Sequence, residues 1–460
     1  MSVMTASILY QKGATMNRLG ARAMDYRPVS SLKSAKRNPR THSRKQIRQI
    51  ADSISRFGFT NPVLIDDDGG IIAGHGRLAA AKLLGIDAVP VVPLGDLSAK
   101  ERQAYALADN KLALNAGWDQ DLLAVEFQEL IDAGFELELT GFSLAEIDFT
   151  LDLASQNRPG TEDPSADRIP DMAQTAVSRP GDLWRLGRHS LLCGDARAPE
   201  QHARLMQGDD AGLVFTDPPY NVPIDGHVSG LGRIRHREFA MGVGEMAEAE
   251  FIAFLSRALK NMTAHCRDGA ILYVCMDWRH MAELSAAGRQ NDLDLKNVCV
   301  WNKTNGGMGS FYRSKHELIF VFKQGQAPHV NSFGLGDTGR YRTNVWDYPG
   351  ISSIGPSRAS EQAMHPTVKP VALVADAIRD CSRRGDIVLD PFAGSGTTLI
   401  AAQMTGRTAR LIEYDPFYCD TIIRRFEAFA GKTAVLADHG ETFEAVSTAR
   451  LGMPPFQAVS

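Results

Sequence analysis

Ile47, Ile50, Ala51, Ile54 and Phe57 recur at helical spacing, with Ser43 ahead of them and Gly58 behind. That pattern predicts an amphipathic helix over 43–57, capped at both ends. Two short apolar runs, 62–65 and 70–73, flank Asp66-Asp67-Asp68-Gly69 and predict a hairpin. An alanine-rich helix over 77–84, stopped by Gly85, and a strand over 89–92 complete a small α+β pattern. A helical connector is expected over 98–154, for example at 122–131. Residues 155–180 are rich in Pro, Asp, Ser and Arg and read as a linker.

The second half has a different rhythm. Gly212-Leu213-Val214-Phe215 is a continuous apolar run, the mark of a strand buried on both faces, and Asp217-Pro218-Pro219-Tyr220 follows it directly. A second such run, Asp386-Ile387-Val388-Leu389, leads into Asp390-Pro391-Phe392-Ala393-Gly394-Ser395-Gly396-Thr397-Thr398. A helix start at 397–402 and a strand at 409–412 ending in Glu413 come next. Strand, glycine turn, helix, strand and terminal acid is the layout of a nucleotide-type site. A dinucleotide fingerprint wants a third glycine where Leu399 stands, so that reading fails. Two glycines and an acid suit S-adenosylmethionine, which has a ribose but no pyrophosphate.

The Asp-Pro-Pro-Tyr element suits chemistry on an aromatic amine. The lone pair of an exocyclic amino group is delocalised into its ring, and hydrogen bonds accepted from that group draw it out. Asp217 offers a carboxylate and Pro218 a carbonyl, while the Pro218-Pro219 pair holds the loop rigid. Tyr220 offers a flat face for a flipped base.

In this order the two elements resemble the DNA methyltransferases that modify adenine N6 or cytosine N4, in the permuted arrangement called β, over about 179–431. Leu191-Leu192-Cys193-Gly194-Asp195, Trp301-Asn302-Lys303, Tyr312-Arg313, His316-Glu317 and His365-Pro366-Thr367-Val368-Lys369-Pro370 resemble further elements of that family. The resemblance implies a Rossmann-like α/β domain and S-adenosylmethionine as donor, with no metal in the transfer. It implies Asp217, Pro218, Pro219 and Tyr220 as catalytic. It implies Asp195, Lys369, Asp390, Phe392, Ala393, Gly394, Ser395, Gly396, Thr397 and Glu413 as the donor site. Asp ahead of Pro-Pro-Tyr leans towards adenine N6, with cytosine N4 the alternative.

Residues 26–95, with Asn38-Pro39-Arg40 and Gly74-His75-Gly76-Arg77, resemble the ParB-like domain of the ParB/sulfiredoxin superfamily. There the loop before the short helix binds nucleotide phosphates, so a nucleoside triphosphate is a candidate partner. A helix N-terminus suits anions and Arg77 adds charge. His75 and Gly76 stand where partition proteins carry Glu-Arg, and the sulfiredoxin cysteine is missing.

Composition narrows the choice. The chain has 460 residues, enough for two or three domains, and a net charge of −4, so it carries no global polyelectrolyte signal. Yet every charged residue from Tyr26 to Ala51 is basic: Arg27, Lys33, Lys36, Arg37, Arg40, Arg44, Lys45 and Arg48. Such a patch neutralises phosphates, as would Arg233, Arg235 and Arg237. None of the six cysteines follows proline, which sets aside methylation at cytosine C5. They read as buried thiols of a reducing compartment. No apolar run reaches the length of a membrane span and no secretory signal is evident, so a cytoplasmic protein is expected. Expected boundaries are 1–25 disordered, 26–97 ParB-like, 98–154 connector, 155–180 linker, 181–435 methyltransferase and 436–460 tail. Double-stranded DNA is the expected partner, and a homodimer is open. A regulator with an inactive methyltransferase fold and a nucleotide-dependent switch are the rival readings.

Overall fold

The computed structural model describes residues 22–35, 38–156, 166–221, 246–303, 306, 311–332, 342–350 and 368–452. Residues 1–21 and the basic cluster at 233–237 lie outside them, whereas 22–25, the end of the stretch expected to be disordered, are described: Arg22 pairs with Asp96 at 2.6 Å and Asp25 opens the first strand. The chain divides into two compact units, one of residues up to 130 with 135–142, the other of 131–134 and 143–460.

The N-terminal unit contains β1 (Asp25–Pro28), α1 (Arg44–Phe57), β2 (Val63–Ile65), β3 (Ile71–Ala73), α2 (His75–Leu83), β4 (Ala88–Pro93), α3 (Ala99–Ala113) and most of α4 (Gln120–Asp132). Its sheet runs β1-β4-β2-β3, with β2 and β4 parallel and the other pairs antiparallel. The local chemistry explains the elements. The Ser43 side chain accepts from Gln46 N and caps α1, and Gly58 ends it at φ +81°. In the hairpin turn Asp66 Oδ1 accepts from the amides of Asp68 and Gly70, and Gly69 takes φ +78°. Leu32, Val63, Ile65, Ile71, Leu78, Ala81, Val89 and Val91 form the core. Phe142 packs edge-on against both Trp118 and Phe127.

The second unit contains α5 (Leu144–Gln156), β5 (Leu183–Leu186), β6 (His189–Cys193), α6 (Pro199–Met206), β7 (Ala211–Thr216), α7 (Glu248–Thr263), β8 (Cys266–Met276), α8 (Met281–Gln290), β9 (Asp294–Asn302), β10 (His316–Lys323), β11 (Val345–Asp347), α9 (Val371–Cys381), β12 (Ile387–Asp390), α10 (Thr397–Thr405), β13 (Thr408–Glu413), α11 (Pro416–Ala430), β14 (Ala434–Leu436) and α12 (Phe443–Leu451). Its ten strands run β11-β9-β10-β8-β7-β12-β13-β6-β5-β14, and the central five, β8-β7-β12-β13-β6, are parallel. Every residue of β7 is buried, which is why it reads as an unbroken apolar run. Helices cover both faces. One core includes Leu373, Ile400 and Ile422, the other Leu205, Phe251 and Leu284. All six cysteines are buried free thiols.

Two stretches differ from the sequence expectation. Asp420 accepts from the amides of Val177 and Ser178, both buried, in the stretch read as linker. Phe443 packs on Trp184 from α12, in the stretch read as tail. In both cases buried backbone or a few apolar residues anchor a polar segment. Among the described residues no helix is long and apolar enough to cross a membrane.

Candidate active site

After β7 the chain continues to β8 on one side. After β12 it continues to β13 on the other. The strand order therefore reverses between β7 and β12, and ligands of open α/β sheets bind at the carboxyl ends beside such a reversal. Asp217-Pro218-Pro219-Tyr220 leaves β7 there, and the glycine loop leaves β12. Asp390 joins the two. Its carboxylate accepts from Thr216 Oγ1 at 2.9 Å, Thr398 Oγ1 at 2.7 Å and Phe392 N at 3.1 Å. Burial pushes Asp390 up to about 6, with those hydrogen bonds opposing. Its oxygens face inward, so it braces the two loops against each other.

On the β7 side lies a cluster of charges. Lys369 Nζ is 2.6 Å from Asp217 Oδ2, 2.9 Å from Glu317 Oε2 and 3.1 Å from the Tyr220 hydroxyl. The Tyr220 hydroxyl is 2.5 Å from Asp217 Oδ1 and 3.2 Å from Glu317 Oε2. Lys303 pairs with the other oxygen of Glu317 and stands over the Trp301 ring, 4.6 Å from its centroid. Glu317 is on β10, beside Trp301 of β9. Burial disfavours the charged forms of Asp217, Tyr220, Glu317 and Lys369. In Glu317 the ammonium groups of Lys369 and Lys303 outweigh it and hold the carboxyl at about 2. Asp217 has one ammonium partner and Glu317 close by. Burial, with that second negative charge, raises it above the usual carboxylate range. Among the described residues no donor bonds to the Pro218 carbonyl.

On the β13 side Glu413 Oε2 accepts from Gly394 N at 2.7 Å and Oε1 from Asp415 N at 2.9 Å. Among the described residues no cation pairs with it, and burial pushes it up to about 7. Gly394 and Gly396 take φ +53° and +82°, where a side chain would be strained. Ser395 and Thr397 face Arg425, whose Nη1 donates to the Ser395 carbonyl at 2.9 Å, so these two residues fix the loop from behind. Ala393 N donates to Ile412 O at 3.0 Å, and the Phe392 ring packs against Phe254. Asp195, just past the end of β6, is held by Arg197 at 2.7 Å. Gly194 N donates to Glu413 O at 2.8 Å, which sets that turn beside the loop.

The sequence-predicted residues thus gather at the carboxyl ends of the central strands, but Lys369, expected at the donor site, joins the Asp217 cluster, and Asp390, Ser395 and Thr397 hold the loops in place. Three participants were not singled out as site residues, namely Glu317, Lys303 and Arg425. His316-Glu317 and Trp301-Asn302-Lys303 are among the segments that carry the family resemblance, but nothing local in the sequence marks Glu317, Lys303 or Arg425 as a participant. His365, Pro366 and Thr367 lie outside the described residues.

In the N-terminal unit Gly74 takes φ +102° ahead of α2. Arg77 lines a cavity of about 380 Å³ with Gln46, Gln49, Ser53, Thr60, Asn61 and Thr140 among its neighbours. The guanidinium has no hydrogen bond or ion pair among the described residues. A Cβ at position 76 would stand 3.0 Å from Ile50 and 3.1 Å from His42, so glycine there lets α2 approach α1.

Residues 211–424 match the DNA methylase family model, 16–111 the ParB N-terminal domain and 121–180 the ParB-methyltransferase HTH domain. The ParB-like nuclease domain-containing protein YnaK of Escherichia coli K12 is 51% identical over 78 residues, 17% of this chain and 90% of that protein. The DNA adenine methyltransferase YhdJ of the same strain is 26% identical over 263 residues, 52% of this chain and 82% of that one. The PvuII cytosine-N4-specific DNA methyltransferase aligns in structure at 15% identity with a TM-score of 0.40, covering 60% of this chain and 94% of that one. The chain therefore carries a DNA methylase domain of the N6/N4 class over 211–424, with a ParB N-terminal domain over 16–111 and a ParB-methyltransferase HTH domain over 121–180 ahead of it.

Proposed function

We propose that this protein methylates the exocyclic amino group of a flipped base in double-stranded DNA, adenine N6 in preference to cytosine N4. The methyl donor is S-adenosylmethionine, which supplies an electrophilic methyl group on its sulfonium. The observation that carries the reading is the Thr216–Asp390–Thr398 link, which fixes the amine-binding loop beside the glycine loop.

Asp217 and the Pro218 carbonyl accept from the target amino group. A carboxylate has about four lone-pair positions, and Tyr220 and Lys369 occupy two of those on Asp217. Tyr220 stacks on the base, worth about 1–3 kcal/mol. The lone pair thus freed would displace the sulfonium sulfur at the methyl carbon, the carbon–sulfur bond breaking to leave a neutral thioether, and the surplus amino proton would go to Asp217 Oδ, whose raised affinity for protons suits that task. On the donor side Glu413 fits a ribose: its buried carboxylate takes two amides, pairs with no cation among the described residues and keeps lone pairs for two hydroxyls. Asp195, at the neighbouring strand end, and Phe392 complete that side. The leaning towards adenine is supported by Asp in the Asp-Pro-Pro-Tyr element and by the adenine methyltransferase relative.

Methylated-base sequencing of DNA from a methylation-free host tests the reading. A modified motif with wild type and none with Asp217→Ala supports it; unmodified DNA from soluble, donor-binding protein sinks it. Calorimetry tests the donor side. Glu413→Ala is expected to weaken donor binding about 10–100-fold, the loss of hydrogen bonds to a charged acceptor. Because burial places Glu413 at about 7, wild-type affinity should rise from pH 6 to pH 8, and this slope should flatten in Glu413→Gln. The same shift means that Glu413's contribution to stability is greatest below its unfolded value and declines as pH climbs to about 7.

A second partner is supported by Arg77 in its cavity. A nucleoside triphosphate is expected to bind the N-terminal unit saturably, and Arg77→Ala to abolish that binding.

A further inference from the structure

We propose that Phe311 and Tyr312 form a wedge that enters duplex DNA at the gap left by the flipped base, an inference that rests on the DNA methyl-transfer reading above. The two side chains are 86% and 82% exposed, more than any other large hydrophobic residue described. They meet each other edge to face, with centroids 4.8 Å apart and planes at 85°, and so present one apolar tip. Exposed rings of this kind mark an interaction site.

Their position says which one. The tip lies in the connection from β9 to β10. Asn302 pairs with His316 and Trp301 with Glu317, and Lys303 N donates to Lys315 O at 2.9 Å, carrying the ladder one step further. Arg313 Nη2 donates to Gly306 O at 2.7 Å and ties the base of the connection. Glu317, at the root of the same hairpin, touches the Tyr220 hydroxyl. Tyr312 is five residues from Glu317, so at most about 17 Å of chain separates the tip from the catalytic cluster.

Charge commits the partner to nucleic acid. From Lys303 to His316 the chain carries Lys303, Arg313 and Lys315 and no acid. A basic connection that carries two exposed rings fits a duplex backbone with a vacancy in its stack, where proteins insert apolar side chains between base steps. Extruding a base opens such a vacancy next to the pocket that receives it. Phe311 and Tyr312 would occupy it and slow the return of the base.

The test compares wild type with a Phe311→Ala/Tyr312→Ala double variant on two DNAs containing the methylated motif. One is the ordinary duplex. The other places the target base opposite an abasic site, so extrusion no longer breaks a pair. On the ordinary duplex the variant's kcat/KM should fall by about tenfold or more. On the abasic duplex it should match wild type, and donor affinity should be unchanged. 2-Aminopurine at the target position should brighten with wild type and stay dim with the variant. An equal loss on both DNAs, or no loss on either, overturns the wedge and leaves the methyl-transfer reading standing. Wild-type protein that methylates neither DNA overturns both.

Discussion

Asp217→Ala is expected to lower methyl transfer by about 10³-fold while leaving donor affinity unchanged. The size follows from what is removed: an acceptor positioned at the reacting amine, where loss of one positioned group costs on the order of 10²–10³ in rate. The proton released on methylation loses its acceptor as well. Donor affinity is spared because Glu413 and the glycine loop lie on the far side of Asp390. The fold is spared because Lys369 keeps Glu317 at 2.9 Å and Tyr220 at 3.1 Å, so no buried ammonium is stranded. Asp217→Asn separates shape from charge. It retains one acceptor oxygen but turns two donors towards the Lys369 ammonium and the amine, so its turnover should be closer to alanine than to wild type. Single-turnover methylation with calorimetric donor titration measures both quantities. Near wild-type turnover in either variant would remove Asp217 from the mechanism.

The parts of this site that were legible in the sequence share a physical cause. Strands buried on both faces must be apolar throughout, so β7 and β12 announced themselves. A loop with φ of +53° and +82° demands glycine, and Gly394 and Gly396 supplied it. The cap residues Ser43 and Gly58 marked α1 for the same kind of reason. Glu317 was not legible as a participant. It reaches Tyr220, 97 residues away, only because β10 lies antiparallel beside β8, and pairing of that range leaves no local pattern. Lys369 was legible as a site residue but not in its partners, since a motif does not say which carboxylate an ammonium will meet. Ala166, Val177 and Ser178 look like linker because their neighbours are polar. What holds them is chiefly backbone: two amides on Asp420 and the Ala166 carbonyl, which accepts from Arg425 at 2.7 Å. Composition does not report on main-chain partners.

The same limit applies to α5, and stability makes it measurable. Asp148 and Arg407 are both buried. Nη1 and Nη2 of Arg407 each lie 3.1 Å from a different oxygen of Asp148, and Arg384 adds a contact at 3.0 Å. The remaining donors of Arg407 go to Thr405 O, Ser382 O and Ser382 Oγ. Burial alone would raise Asp148, but the guanidinium of Arg407, helped by Arg384 and Arg379, keeps it below the usual range. The pair therefore stabilises the fold above the ordinary carboxylate value, and that contribution fades as pH falls through the lower folded-state value. Removing one partner of a buried pair costs about 3–5 kcal/mol, because the other charge is left without compensation in a low dielectric. Asp148→Ala should thus lower the unfolding free energy of the methylase unit by about that amount at neutral pH, with a smaller loss for Asp148→Asn, which can still accept from Arg407. A chain beginning at residue 181 lacks Asp148 altogether and should show at least the same deficit. Urea unfolding of the three proteins at neutral and acidic pH measures it, and wild-type midpoints in Asp148→Ala would show that α5 adds nothing to the unit. The expected outcome makes the end of the helical connector part of the methylase fold, fixed there by the Arg407 guanidinium between α10 and β13.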